Sequence, residues 1–194
     1  MASSRPVNTI RWCILILALL TVGTIHRNRT WAGGPLAIWK DVTTKSPNKP
    51  RGHLNLGNTY VQAGQPAAAL QEYRRVLELT PTGEPAHEAA QSNIGQILVE
   101  QGRYAEAEAF LEAQPYRTIP MVINLSVIYV RTQQLERAES FIREALTEFG
   151  ETDATAPLLF NLAEVLRVTH RCMEATVLYR RAQRLLPDLP IRPC

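Results

Sequence analysis

The chain has 194 residues, of which 45% are hydrophobic, and its formal net charge is +3 at neutral pH. This length allows one or two domains, and the charge is too small to indicate a nucleic-acid partner. The three cysteines and four histidines are scattered, without the close pairs that a zinc site needs. We therefore expect no metal, no cofactor and no nucleic acid.

The first predicted element is an apolar helix near the amino end. Residues 12–25 carry no charged side chain, although a membrane-spanning helix usually needs roughly 17–25 apolar residues. We interpret residues 12–26 as an uncleaved signal-anchor helix, preceded by a tail at 1–11 and followed by a linker at 27–34. A cleaved signal peptide is the alternative, but the exit of the run offers only a weak cleavage site.

The charges that flank this helix do not decide its orientation. Arg5 and Arg11 precede the apolar run, and Arg27 and Arg29 follow it closely. The positive charges on the two sides of the run are therefore nearly equal, and the positive-inside rule gives no orientation. The side of the membrane that holds the rest of the chain stays open at this point.

A repeat with a period of 34 residues follows the linker. Four residues recur 34 positions later in the chain: Leu36, Trp39, Val42 and Pro47 return as Leu70, Tyr73, Val76 and Pro81. The end of the chain carries the pattern again, in Tyr179, Ala182 and Pro187. A fixed period of this size indicates an array of supersecondary units.

The pattern resembles the tetratricopeptide repeat (TPR), a helix-turn-helix unit of about 34 residues. Four units carry it, at Leu56, Gly57, Tyr60, Gly64, Ala69, Tyr73, Val76 and Pro81; at Ile94, Gly95, Leu98, Gly102, Ala107 and Leu111; at Leu125, Ser126, Tyr129, Ala138, Ile142 and Ala145; and at Leu162, Ala163, Leu166, Ala175, Tyr179, Ala182 and Pro187.

The resemblance implies an all-α fold in which the membrane helix is followed by a TPR superhelix. We expect nine helices after the anchor: a leading half-repeat helix within 35–48, then four antiparallel pairs within 49–187. A tail at 188–194 ends the chain. Pro115 predicts that the second helix of the second unit is short, because proline cannot continue a helix.

Asparagine occupies one position of every unit, two residues before the small residue at Gly57, Gly95, Ser126 or Ala163. These residues are Asn55, Asn93, Asn124 and Asn161, half of the eight asparagines in the chain. Asparagine is a poor residue for a helix interior. Folding alone would not select it four times at one position.

The resemblance implies that this position faces the concave groove of the superhelix. Each amide has one acceptor and two donors, so a ladder of four can hold an extended peptide by its backbone. The alternative is that the amides bond neighbouring helices or water. The predicted site comprises Asn55, Asn58, Asn93, Asn124, Asn161, Gln62, Gln96, Arg131, Glu164 and Arg167, bordered by Val61, Ser92, Val99, Glu100, Ile123, Val127 and Phe160.

A second kind of TPR groove, the carboxylate clamp, is not expected. Asn58 and Asn93 fit its pattern, but Leu54, Pro120 and Asn124 stand where the clamp needs basic residues. A receptor for acidic C-terminal tails is therefore not predicted.

The junction between the apolar run and the repeats resembles bacterial relatives of membrane-bound O-mannosyltransferases. The matching residues are Arg27, Asn28, Trp31, Trp39, Ser46, Pro47, Asn55, Leu56 and Gly57. The catalytic, multi-span part of those enzymes is absent, so no activity is implied. The resemblance implies only that the repeats lie outside the cytoplasm, on the periplasmic side.

No catalytic residues are predicted, because no Ser/His/Asp or Cys/His set and no phosphate-binding glycine loop occurs. We expect a membrane-anchored scaffold that binds a partner polypeptide in its Asn-lined groove, within a hetero-oligomeric assembly. The alternative is a non-catalytic, substrate-presenting partner of a membrane glycosyltransferase.

The sequence also allows a disulfide between Cys172 and Cys194, with a tail directed elsewhere by its three prolines as the alternative. The last helix is about 21 Å long, at 1.5 Å per residue. The eight residues from Pro187 to the end can return about 26 Å if extended. The tail is therefore long enough to bring Cys194 beside Cys172, and an extracytoplasmic compartment would permit the bond.

Overall fold

The computed structural model describes residues 5–115 and 117–192, with side chains at residue 12, at 14–25 and from residue 32 onward. These residues form ten helices and no strand. The helices are α1 (Arg5–Ala32), α2 (Gly34–Lys45), α3 (Pro50–Gln62), α4 (Pro66–Leu79), α5 (Pro85–Glu100), α6 (Tyr104–Glu112), α7 (Ile119–Arg131), α8 (Leu135–Phe149), α9 (Ala156–Val168) and α10 (Cys172–Leu185).

The all-α fold and the order of the helices after residue 34 confirm the sequence prediction. Within the described part of the chain, α2 is the leading helix, and the eight helices from α3 to α10 follow in four consecutive pairs. The second unit has a short second helix, as Pro115 predicted, since α6 ends at Glu112.

The chain divides into two compact units, residues 1–75 and 76–194, with the boundary inside α4. In the first unit α2 packs on α3. In the compact unit 76–194 the first helix of each pair packs on the second helix of the same pair: α5 on α6, α7 on α8 and α9 on α10. The first helices α5, α7 and α9 also pack side by side, so this unit has one layer of first helices and one of second helices.

The turn inside each pair has one geometry. The residue after the cap has a left-handed backbone at Gly64 (φ 68°), Gly102 (φ 71°), Gln133 (φ 61°) and His170 (φ 61°). The following amide closes each helix by donating to a carbonyl five residues back, as Gln65 does to Tyr60 at 2.8 Å. This is the Schellman motif. Two of the four units adopt it without glycine, which costs roughly 1–2 kcal/mol per residue.

Close approach inside each pair explains the small residues of the pattern. A Cβ at Gly57 would lie 2.5 Å from Tyr73 Cε1, and one at Gly95 would lie 2.6 Å from Leu111 Cδ2. The alanines of the second helices, Ala69, Ala107, Ala138 and Ala175, are all fully buried. The small side chains let the tyrosine and leucine pack against the backbone of the facing helix.

Arg–Glu pairs join successive second helices in the 76–194 unit. Arg137 of α8 bonds Glu108 of α6 at 2.6 Å, and Arg171, which precedes α10, bonds Glu139 of α8 at 2.9 Å. Burial favours a higher pKa for Glu139, but hydrogen bonds from Arg143 and Arg171 outweigh it and lower the pKa. These pairs are partly exposed, so each contributes at most about 1 kcal/mol to stability.

The segment expected as a signal-anchor lies inside a longer helix. α1 runs from Arg5 to Ala32, so it includes most of the predicted tail at 1–11 and much of the predicted linker at 27–34. It continues because residues 24–32 contain no glycine or proline, and it ends where Gly33, Gly34 and Pro35 begin. No helix in the described residues is long and apolar enough to cross a membrane, so the membrane-spanning prediction for 12–26 is not supported.

We predict that Gly57→Ala destabilises the chain more than Gly95→Ala. Alanine gains about 1 kcal/mol over glycine in a helix, but overpacking costs about 1–3 kcal/mol. Tyr73 and Leu111 are equally buried, but the clash at Gly57 is with a flat ring that must move as a rigid body, whereas the shortest contacts at Gly95 are with leucine methyl groups that can rotate. Thermal unfolding followed by circular dichroism measures both variants, and equal melting temperatures would contradict the packing argument.

Candidate functional site

A groove of about 820 Å³ lies between α5 and α7, within the compact unit 76–194. It is lined by the following residues: Pro85, Glu88, Ala89, Ser92, Asn93, Gln96, Val99, Glu100, Thr118, Ile119, Pro120, Ile123, Asn124 and Ala154. Helical periodicity explains this set, because residues one, four, five, eight, eleven and twelve positions after Glu88 share one face of α5. The groove thus follows the predicted face of the first helices.

Asn93 and Asn124 both line this groove, together with Gln96. These three of the predicted site residues are therefore brought together by adjacent helices. The bordering residues Ser92, Val99, Glu100 and Ile123 also line it. The two asparagines are half-buried, so their amides lie at the wall of the groove and not in open solvent.

Two of the asparagines bond the preceding first helix. Asn124 Nδ2 of α7 donates to the Ser92 carbonyl of α5 at 3.2 Å, and Asn161 Nδ2 of α9 donates to Ser126 Oγ of α7 at 2.7 Å. Ser126 is fully buried and donates in turn to the Ile123 carbonyl at 2.7 Å. The alternative role considered for these amides, a link between neighbouring helices, is therefore present in the structure.

A side-chain amide that links two helices can still form hydrogen bonds to a ligand. One donor of Asn124 is used on Ser92, and a side-chain amide offers two donors and one acceptor. Gln96 Nε2 donates to Glu100 Oε1 at 2.8 Å, one turn further along α5. The wall of the groove therefore presents amide groups that are oriented by contacts within the protein.

Three predicted site residues lie in α3, within the compact unit 1–75: Asn55, Asn58 and Gln62. Asn55 is half-buried, while Gln62 is exposed. Asn58 Oδ1 accepts a 2.7 Å hydrogen bond from the hydroxyl of the buried Tyr73, which gives this predicted site residue a role in holding α4 on α3. A ladder of all four asparagines stays a prediction.

Glu164 and Arg167 form a polar cluster on α9. Glu164 is 9% exposed, accepts a hydrogen bond from the Tyr179 hydroxyl and pairs with Arg167 at 3.1 Å. Burial and the hydrogen bond to Glu164 raise the pKa of Tyr179 to about 12. Arg131 lies at the exposed end of α7. Neither arginine lines the groove between α5 and α7.

Cys172 is disulfide-bonded. Its predicted partner Cys194 lies outside the described residues, so the pairing stays a prediction. The described part of the tail passes the last pair of helices. Gln183 of α10 donates to the Leu189 carbonyl at 3.4 Å, and Arg192 lies 3.3 Å from Glu164 of α9.

Sequence reasoning missed the ends of the groove. Glu88 in the first turn of α5, Thr118 and Ile119 at the start of α7, and Ala154 before α9 all line it. The repeat pattern identifies the middle of each helix but not the loops that precede it. The prolines that open α5 and α7, Pro85 and Pro120, were the available signal, since proline is favoured in the first turn of a helix.

Groups that could bind a metal are not present in the described residues: no three His, Cys, Asp or Glu side chains are arranged to hold an ion. What the described residues present is a groove between helices, lined by amides, carboxylates and apolar side chains.

The helix pairs with a shared turn and a shared small position define a helical-repeat protein. Comparison with protein families gives the same result, since one model of the tetratricopeptide repeat matches residues 54–118 and another matches residues 119–148. Residues 54–148 of the chain are therefore tetratricopeptide repeats. No curated protein sequence gives a significant match.

Solved structures share this fold at low sequence identity. PilF of Pseudomonas aeruginosa is 20% identical, with a TM-score of 0.63 over 86% of this chain and 73% of that one. A TPR protein of Thermus thermophilus is also 20% identical, with a TM-score of 0.61 over 87% and 89%. MamA is 17% identical, with a TM-score of 0.61 over 86% and 95%. At these identities the similarity shows the fold alone.

We predict that Asn161→Ala destabilises the chain without any ligand present. The substitution removes the hydrogen bond to the buried Ser126, worth on the order of 1 kcal/mol, which exceeds the gain of up to about 0.7 kcal/mol that alanine brings over asparagine in a helix. Gln96→Ala is the control, because Gln96 is exposed and its hydrogen bond to Glu100 lies within its own helix. Thermal unfolding should show a lower melting temperature for the first variant and little change for the second. An unchanged melting temperature for Asn161→Ala would show that this link is not structural.

Proposed function

We propose that this protein is an interaction scaffold that binds an extended segment of a partner polypeptide in the groove between α5 and α7. The observation that carries the proposal is the groove itself, whose wall includes Asn93 and Asn124 from adjacent helices. TPR domains bind proteins or peptides, so the family supports this class of function.

The asparagines suit a backbone ligand. An extended peptide presents a carbonyl and an amide N–H at each residue, and one side-chain amide can pair with both. Asn124 is positioned by its bond to the Ser92 carbonyl, so less side-chain entropy is lost when it binds. A pre-positioned group of this kind strengthens binding mainly by lowering the cost of ordering.

The remaining lining suits side chains of mixed character. Val99, Ile119 and Ile123 give the groove apolar surface, and Ser92 and Thr118 add hydroxyl groups. A concave site that is mostly apolar with a few polar groups is the usual form of a binding site. Backbone contacts through the amides would give affinity that depends little on the partner's sequence.

The apolar part of α1 supports a further element of the proposal, attachment to a membrane. Large apolar side chains are exposed at consecutive positions, Ile14, Leu15, Ile16 and Leu17, and again at Leu19 and Leu20. Consecutive residues lie on all faces of a helix, so a single protein surface cannot cover them. A lipid environment can, and we propose that α1 holds the chain at a membrane.

The disulfide at Cys172 supports an extracytoplasmic location for the repeats. Disulfides persist in oxidising compartments and are rare in the cytosol. The sequence resemblance of residues 27–57 to the membrane-to-repeat junction of bacterial O-mannosyltransferase relatives favours the same side. We propose the periplasmic side of the membrane.

An accessory subunit of a larger membrane or cell-surface assembly fits these features, and a partner of a membrane glycosyltransferase is the alternative. A photocrosslinking residue at Gln96, inside the groove, captures the partner in cells. The same residue at Glu136, exposed on α8, is the control. Capture of a membrane complex at Gln96 alone supports the first function, and capture of a glycosyltransferase supports the alternative. Equal capture at both positions would show that the groove is not the binding site.

We predict that Asn93→Ala with Asn124→Ala weakens binding of the captured partner several-fold or more. Each backbone hydrogen bond at the site is worth on the order of 1 kcal/mol. Titration calorimetry or anisotropy with the partner segment measures the loss. Asn48→Ala is the control, since Asn48 is an exposed asparagine in the turn between α2 and α3. Unchanged binding in the double variant would place the partner on another face.

We predict that the full chain stays with the membrane fraction after a high-salt wash, which releases proteins held by charge alone, whereas a chain beginning at residue 33 is released. The exposed apolar residues of α1 supply the attachment. A full-length variant with Leu19→Ser and Leu20→Ser tests the same segment without deletion and should be extracted more easily. Retention of the truncated chain would assign the attachment to the repeats or to a partner.

A further inference from the structure

The chain's own tail contacts one of the first helices, α9. Residues 190–192 have no regular secondary structure, and the Arg192 guanidinium carbon lies 5.6 Å from the centre of the Phe160 ring. Its Nη1 lies 3.3 Å from Glu164 Oε2. An irregular segment therefore presents an arginine to a carboxylate and to an aromatic face, both on α9.

The tail contacts α9 at the positions that line the groove on α5. Phe160 stands three residues before Ala163, and Glu164 stands one residue after it. Ser92 and Gln96 have the same spacing from Gly95, and both line the groove. Because the repeats share one register, the tail lies on the face of α9 that corresponds to the groove wall on α5, two repeats earlier.

The charge of the groove is opposite to the charge of Arg192 in the tail. Glu88 and Glu100 line it, and none of the described lining residues is basic. They are twelve residues apart on α5, a separation of about 18 Å along the helix. An extended segment of five residues spans about 17 Å, so such a segment can lie along α5 with a carboxylate near each end.

We propose that the partner segment bound between α5 and α7 is an extended, basic segment, in which an arginine or lysine adjoins apolar or prolyl residues. This inference rests on the proposed function and specifies the ligand of the same groove. The basic side chain pairs with Glu88 or Glu100, the apolar residues contact Val99 and Ile123, and the backbone bonds Asn93 and Asn124.

Fluorescent peptides test the proposal on the full-length, oxidised chain. The first probe has the sequence of residues 189–193, Leu-Pro-Ile-Arg-Pro, and the second has glutamine in place of the arginine. We expect the arginine peptide to bind about fivefold more tightly than the glutamine peptide, the effect of one partly screened ion pair. The difference should shrink as salt is added.

Variants of the chain locate the bound peptide. Glu88→Gln with Glu100→Gln should remove the preference for arginine and leave the glutamine peptide unaffected. Glu136→Gln removes an exposed carboxylate on α8 and should change neither affinity. Glu164→Gln tests for binding at α9 by displacement of the tail. A loss of the preference in that variant alone would overturn the proposal, because the peptide would then occupy the tail's position and not the groove.

The remaining outcomes separate the inference from the function on which it rests. If both peptides bind equally and Asn93→Ala weakens both, the groove binds peptides but the basic specificity is wrong. If neither peptide binds while Gln96 captures a partner in cells, the specificity is again wrong and the proposed function stands. If neither peptide binds and Gln96 captures no partner, both proposals fail.

Discussion

Close contact between the two helices of each pair is the constraint on which the rest of the structure depends. At Gly57 and Gly95 there is no space for a Cβ, because Tyr73 and Leu111 fill it. This contact fixes the rotation of the first helix about its own axis. Once that rotation is fixed, the residues two and three positions before the small residue must face away from the second helix, toward the neighbouring first helix and the groove.

The asparagine position follows from this rotation, and its two roles are compatible. Asn124 and Asn161 bond the first helix of the preceding pair, which explains why a residue with low helix propensity recurs there. A structural bond uses one donor of the amide and fixes its orientation. The same contact that holds two helices together can therefore prepare the amide for a peptide, so the two interpretations of the pattern do not exclude each other.

Much of the fold could be predicted from the sequence because the repeat signal is redundant. Small residues, tyrosines and prolines recur in several units, and together they predicted the leading helix, the pairs from α3 to α10 and the short α6. Two of the Schellman turns could not be predicted from the sequence. Gln133 and His170 adopt a left-handed backbone there, and only glycine at such a position indicates this conformation in a sequence. The extent of α1 was also missed, since an apolar run indicates the apolar part of a helix but not where the helix begins and ends.

The candidate site could be predicted only in part, for a related reason. Repeat register places Asn93, Gln96 and Asn124 on one surface. The width of the groove, however, depends on where adjacent helices start, and the loops that precede the helices determine this. Glu88 and Ala154 line the groove through such loops and first turns. Glu164 shows the converse: its register predicted a groove residue, yet its carboxylate is engaged by Tyr179, Arg167 and Arg192.

The last repeat explains that difference. A first helix inside the array is covered by the first helix of the next pair, as α5 is by α7 and α7 is by α9. In the described chain α9 has no such successor, so Phe160 and Glu164 would expose a ring and a carboxylate to solvent. Arg192 covers both. Arg192 is exposed although Glu164 is buried, and an ion pair with one solvated partner adds little stability, so the contact of the tail with α9 is weak enough to be replaced.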